Sequence, residues 1–283
     1  MEDVAGIQQL LKRVIAEMHI EDCKFDVLGK GHDGIVYKAN DEYCIKVRNI
    51  SSLGVKLDYK ESPNLCFPIC SIYSEKGNLV AIVQRFVDGY SLQKEIKTGI
   101  KHSESDTLSI IHDLLSGLNV LHSQGIVHRD FHPGNVLLDS VNGRKRAVII
   151  DFDEIKPYGD AVEPCFRYNG YQAPEIVLTN TSYDNKSEVF SVGVMMWELL
   201  YGDCQFGGYN YFGKVIEHSW QEYENNSDYY NEQVKRAICR LPNEMESVSM
   251  LSADTAALLL SLLNPNRNNR VSAEEALRSS LFE

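Results

Sequence analysis

Three glycines at G-x-G-x-x-G spacing, Gly29, Gly31 and Gly34, run into a β-branched and aromatic stretch rather than into a helical pattern. A dinucleotide fold leads from such a loop directly into a helix, so the strand that follows here argues against one. Apolar segments on either side of Asn40, Asp41 and Glu42 predict a β-hairpin with a tight turn. Its second strand holds Lys46 between Ile45 and Val47. A lysine in an apolar strand is costly unless an anion meets it. Glycines remove the side chains that would keep backbone amides from phosphate oxygens, so phosphate is the natural anion.

Ile7, Leu11, Val14 and Met18 recur at three- to four-residue spacing, which predicts an amphipathic helix within residues 1–20. Leu108, Ile111, Leu115, Leu118 and Leu121 predict a long core helix, with Ser105 as its cap and Gly125 at its end. Asn142-Gly143 is a strong hairpin signal. Beyond Pro174 the pattern is helical, as in Val192, Met196 and Leu199, then Ala257, Leu260 and Leu263. Strands come first and helices after, giving an α+β chain with a small β-rich lobe (21–87) and a larger helical lobe (88–283). The seam is expected near Phe86 to Ser91.

With 283 residues, 43% of them hydrophobic, the chain can bury a sizeable core. Its apolar runs are too short for a membrane span, and no usual secretory signal opens it. The net charge of −12 argues against nucleic acid and would suit basic protein partners. Seven scattered cysteines fit a reduced, cytoplasmic setting. Cys66 and Cys70 have metal-like proximity, but read more simply as small buried residues.

Two further constellations carry chemistry: His128-Arg129-Asp130-Phe131-His132-Pro133-Gly134-Asn135 and Asp151-Phe152-Asp153. With the glycine loop and Lys46 they resemble the eukaryotic protein kinase family, from about residue 25 to the C-terminus. The resemblance implies a two-lobed kinase fold that binds ATP and Mg²⁺ and phosphorylates serine or threonine in protein substrates. In it Asp130 is the catalytic base, Asn135 and Asp151 hold Mg²⁺, and Lys46 grips the α- and β-phosphates. Gly29, Gly31, Gly34 and Val36 would cover the nucleotide. Val83 to Gly89 looks like the hinge, with Gln84 as gatekeeper and Val87 beside the adenine. Ala173-Pro174-Glu175 and Arg270 look like the family's segment anchor, and Glu175 and Arg270 should pair. Lys186 to Val194 resembles the start of the central helix, with Glu188 where the family has aspartate.

Several positions depart from the family. The interval between Lys46 and Ser62 is too short for the usual helix bearing the lysine's glutamate partner. Its residues fit a short helix ending at Glu61 or an extended strand; Lys46 is then held by Glu61, another acid, or ATP alone. The N-terminal helix is expected to pack on the small lobe in compensation. Asp153 replaces a glycine, and His132 replaces a lysine at the γ-phosphate. Residues 151–175 contain no serine or threonine, so Asp160 or Glu163 could stand in for a phosphate at Arg129, and Tyr158, Tyr168 and Tyr171 are the remaining phosphosites. These departures keep a pseudokinase scaffold or decoy as an alternative, and His132-Pro133-Gly134-Asn135 keeps a small-molecule kinase as another. Control by a regulatory partner or by expression is expected, in a host cytosol if the chain is a viral protein or an effector.

Overall fold

Asn40 Oδ1 accepts from the backbone N–H groups of Glu42 and Tyr43, both at 2.9 Å. This Asx-type turn joins β2 (Gly34–Lys38) to β3 (Tyr43–Asn49) as the sequence implies. The computed structural model describes residues 4–31, 34–50, 60–158, 171–173, 175–176, 183–202 and 251–283. Contacts divide the chain into two units. The first comprises Met1–Tyr59, Cys66–Asp88 and Asp151–Asp153; the second comprises Lys60–Leu65, Gly89–Ile150 and Glu154–Glu283.

In the first unit β1 (Asp26–Gly31), β2, β3, β5 (Leu79–Arg85) and β4 (Pro68–Tyr73) form an antiparallel sheet in that spatial order. Side chains alternate along a strand, so the sheet has two unlike faces. Ile45 and Val47 of β3, Ala81 and Val83 of β5 and Ile72 of β4 pack in one core with Leu10, Leu11 and Val14 of α1 (Val4–Met18). The intervening residues point to the other face. There Val36 stands opposite both Gly29 and Lys46, Lys46 opposite Ile82, and Cys44 opposite Gln84. The sheet thus buries α1 on one side and presents Lys46 on the other.

In the second unit α3 (Glu104–His122) is the core helix, after β6 (Gly89–Ser91) and α2 (Leu92–Ile96). Its cap is Ser103 rather than Ser105: the Ser103 hydroxyl accepts from the Asp106 N–H at 3.1 Å, so the helix starts earlier than expected. Gly125 closes the end, its N–H bonded to the His122 carbonyl at 3.0 Å. A three-stranded sheet follows the order β6-β8-β9, with β8 (Val136–Val141) and β9 (Arg144–Ile149) joined by Asn142 and Gly143. Their φ angles of 53° and 78° make the type I′ turn that the pair predicts. β7 (Ile126–Val127) pairs with β10 (Lys156–Pro157).

The described C-terminal helices are α4 (Asn185–Tyr201), α5 (Ala253–Leu262) and α6 (Ala273–Leu277). The Asp184 carboxylate and Ser187 form a capping box that starts α4. On α5 the buried stripe is Thr255, Leu258, Leu259 and Leu262, whereas Ala257 and Leu260 face outward. Three successive leucines fit either phase, which is why the sequence placed the apolar face one step off. No helix among the described residues is long and apolar enough to cross a membrane.

Candidate functional site

Lys46 is 9% exposed. Its ammonium lies 2.9 and 2.8 Å from the two oxygens of Asp151 and 2.9 Å from Asp153 Oδ2. Burial opposes a charged lysine, yet the two carboxylates outweigh it and raise the Lys46 pKa above the ordinary value. Arg48, two residues along β3 and on the same face, brings Nε to 3.3 Å from Asp153 Oδ2. Phe152, between the two acids, is buried against Phe67 with ring centroids 4.4 Å apart. The partners of Lys46 among the described residues are therefore Asp151 and Asp153. Glu61 is exposed and falls in the second unit, and a turn begins at Pro63 just after it. The intervening residues 51–59 lie outside the described ones.

The glycines differ among themselves. At Gly34 (φ +135°) a β-carbon would come within 2.4 Å of the Val47 carbonyl oxygen and 2.9 Å of Arg48 Cβ, so β2 can pass β3 only as glycine. At Gly29 and Gly31 a β-carbon would meet nothing within 4 Å. Among the described residues their bareness serves no packing. His32 and Asp33 lie outside the described residues. Val36 is half-buried on the Lys46 face; Gln84 ends that face on β5, and Val87 follows in the connection out of the sheet.

In the second unit β7 leads into the His128 to Asn135 loop. His128 is fully buried, with Nε2 3.0 Å from the Ile150 carbonyl. Arg129 has φ 69°, a left-handed conformation that a non-glycine residue holds only when its surroundings fix it. The fixing group is Glu188 on α4, fully buried, whose Oε1 accepts the Arg129 backbone N–H at 2.7 Å. Its Oε2 lies 2.8 Å from His122 Nε2 at the end of α3. The extra methylene of glutamate is thus accommodated and the loop is still held. Neither the His122 contact nor the Arg48 position was singled out in the sequence, though Arg48 shares the two-residue period of β3 with Lys46.

Asn135 donates through Nδ2 to Asp130 Oδ2 at 3.0 Å and to the Asp130 carbonyl at 2.8 Å. His132 Nδ1 accepts from the Gly134 N–H at 3.0 Å, which leaves the proton on Nε2, 3.5 Å from Asp130 Oδ2. A β-carbon at Gly134 would lie 2.6 Å from that ring, so this histidine and this glycine go together. Burial tends to raise the Asp130 pKa, but His132, with His128 and Asn135, outweighs it and holds the pKa at about 2. Asp130 is an ionised acceptor at any physiological pH. His132, expected at a γ-phosphate, here turns towards Asp130. Asn135 spends its amide N–H on Asp130, so its Oδ1 faces away.

Arg270 is fully buried and grips Glu175 in bidentate fashion at 2.7 and 3.0 Å, as the sequence predicted. Burial disfavours the Glu175 carboxylate, but Arg270 prevails and lowers its pKa. Two of the three candidate phosphosite tyrosines are engaged inside the fold. Tyr171 is buried and its hydroxyl donates to Glu198 at 2.8 Å, while the half-buried Tyr158 donates to the His122 carbonyl at 3.1 Å. A kinase reaching either hydroxyl must first break that contact, which removes both as ready sites. Asp160, Glu163, Tyr168 and Pro174 lie outside the described residues. The Arg129 guanidinium has Glu154 at 3.9 Å. Cys66 is buried, and burial pushes its thiol up to about 11, away from the thiolate a metal needs.

The first unit carries a buried lysine beside an Asp-Phe pair, and the second an ionised aspartate in an asparagine-braced loop. The protein kinase domain family matches residues 24–282, and the chain belongs to that family. Its relatives include ribosomal protein S6 kinase 2 alpha of Gallus gallus, 29% identical over 73% of this chain and 30% of the relative. A probable cyclin-dependent serine/threonine-protein kinase of Dictyostelium discoideum is 29% identical over 91% of this chain and 20% of the relative. Myosin light chain kinase A of the same organism is 30% identical over 64% of this chain and 66% of the relative. The chain thus spans less than two thirds of the length of each.

Proposed function

We propose that this domain is an active serine/threonine protein kinase that transfers the γ-phosphate of ATP to protein hydroxyls. The observation that carries the reading is the Asp130 carboxylate, held ionised at about 2 with Asn135 Nδ2 3.0 Å from it. That group is suited to orient a substrate hydroxyl and accept its proton. Lys46 binds the phosphates, Gly29, Gly31, Gly34 and Val36 cover the nucleotide, and Gln84 and Val87 line the adenine. Asn135 and Asp151 hold Mg²⁺, which when bound neutralises charge on the phosphates. Residues 21–87 serve as the small lobe, 88–283 as the large one, and the cytoplasm as the setting. Serine/threonine selectivity is supported by the name of the Dictyostelium cyclin-dependent relative, and by Pro133, which looks more like the serine/threonine branch of the family than the tyrosine branch. The Glu175–Arg270 anchor favours a protein substrate over a small molecule.

A pseudokinase scaffold is the second reading, motivated by Asp153 on Lys46 and by His132 turned to Asp130. Incubation with labelled ATP, Mg²⁺ and mixed protein substrates, beside Asp130→Asn, separates the two. Phosphoserine or phosphothreonine that falls about 100-fold or more in the variant supports the kinase. Nucleotide binding without transfer in the unaltered protein assigns the scaffold.

A further inference from the structure

The family's helix glutamate has no counterpart among the described residues near Lys46, and the carboxylates between Lys46 and Ser62 are Asp58 and Glu61 alone. Glu61 is exposed. A buried lysine without a fixed counter-charge would swing out of place. Asp153 stands where the family has glycine, and it supplies that charge. We propose that Asp153, pinned by Arg48, is the positioning residue for Lys46, in place of a helix-borne glutamate.

Three features carry this. Asp153 Oδ2 is shared, 2.9 Å from Lys46 Nζ and 3.3 Å from Arg48 Nε. Lys46 and Arg48 leave β3 on the same face, and each side chain is 11% exposed, so the cluster is largely out of solvent. Its charges also balance, with two cations against Asp151 and Asp153. Should Asp151 turn its oxygens to a metal, Lys46 keeps one carboxylate and Arg48 keeps that carboxylate in place. Gly34 belongs to the same device, since a side chain there would displace Arg48. The glycine that the family would restore at 153 is therefore the wrong residue for this chain.

The inference rests on the proposed nucleotide site, and its test reads side-chain order and binding as well as turnover. The protein and the variants Asp153→Asn, Asp153→Gly, Asp153→Glu and Arg48→Met are compared in three measurements. The first is the mobility of the Lys46 side chain in nucleotide-free protein, followed by NMR relaxation of dimethylated lysines and assigned by Lys46→Arg. The second is affinity for a fluorescent ATP analogue, and the third the Mg²⁺ dependence of phosphate transfer. Asp153→Asn and Asp153→Gly are expected to loosen the Lys46 side chain and weaken nucleotide binding about 10-fold or more, on the scale of losing a charged partner. Asp153→Glu should recover part of the loss, Arg48→Met should fall between, and half-saturating Mg²⁺ should stay within about twofold. Unchanged Lys46 mobility overturns the proposal. So does tighter nucleotide binding in Asp153→Asn, which would make Asp153 a competitor of the phosphates, or a change confined to Mg²⁺, which would make it a metal ligand. If Asp153→Asn does not fold, Arg48→Met carries the test by the same criteria. A protein that binds nucleotide without transferring phosphate defeats the kinase reading, yet leaves the mobility and affinity measurements to decide on Asp153.

Discussion

The candidate residues of the two units are held by different physics. On the sheet, Lys46 is positioned by carboxylates from a distant segment of chain, and its order depends on opposite charges out of water. In the Asp130 loop, order comes from hydrogen bonds to backbone: Glu188 to the Arg129 N–H, Asn135 to the Asp130 carbonyl, His128 to the Ile150 carbonyl. Ion pairs tolerate relocation of a partner, because any carboxylate within reach will serve. Backbone-directed hydrogen bonds fix both partners, and here they admit only a change of one methylene. That contrast accounts for where the chain departs from its family: Asp153 rewires the sheet side, whereas the loop side keeps its scheme with Glu188 for aspartate.

The comparison can be broken by substitution. Arg270→Ala strips the charge partner from buried Glu175 and should cost about 3–5 kcal/mol, read by denaturant unfolding; a cost below 1 kcal/mol would mean that this anchor behaves like a surface pair. Leu10→Ala, on the α1 core behind Lys46, should cost roughly 2–5 kcal/mol and destabilise the first unit. If ATP affinity is kept while stability falls, α1 is a buttress and not a part of the site. Glu188→Ala leaves the Arg129 N–H unmet and should cost about 1–3 kcal/mol along with much of the turnover, whereas Glu188→Asp should recover most of both. Gly143→Ala, at φ 78°, should cost about 1 kcal/mol and leave turnover alone. In pH titrations, Asp130 has a folded pKa depressed to about 2. The stability it contributes is complete above its unfolded pKa of about 3.9 and disappears as pH falls through about 2. Unfolding of His132→Ala, which loses the main lowering contact, should show a smaller loss over that window.

The sequence revealed what is local. Glycine spacing, the Asn40 and Asn142-Gly143 turns and the lysine in its strand could each be read from adjacent residues, because each depends on steric or hydrogen-bonding rules acting over a few positions. The roles in the Asp130 loop and the long-range pairing of Glu175 with Arg270 came only through resemblance. The partner of Lys46 was not legible, since Asp153 is brought to it by tertiary folding and the short interval before Ser62 left Glu61, another acid or ATP alone all open. The face of α5 was hidden by three consecutive leucines, and the start of α3 by two serines that differ only in whether a free N–H lies three residues on.

Glu188 ties the end of α3 and the loop at Arg129 to the start of α4 through one buried carboxylate. The Arg129 amide is therefore shut off from solvent deuterium for as long as that carboxylate stays in place. It should exchange more slowly than exposed turn amides such as that of Gly143, and Glu188→Ala should speed it.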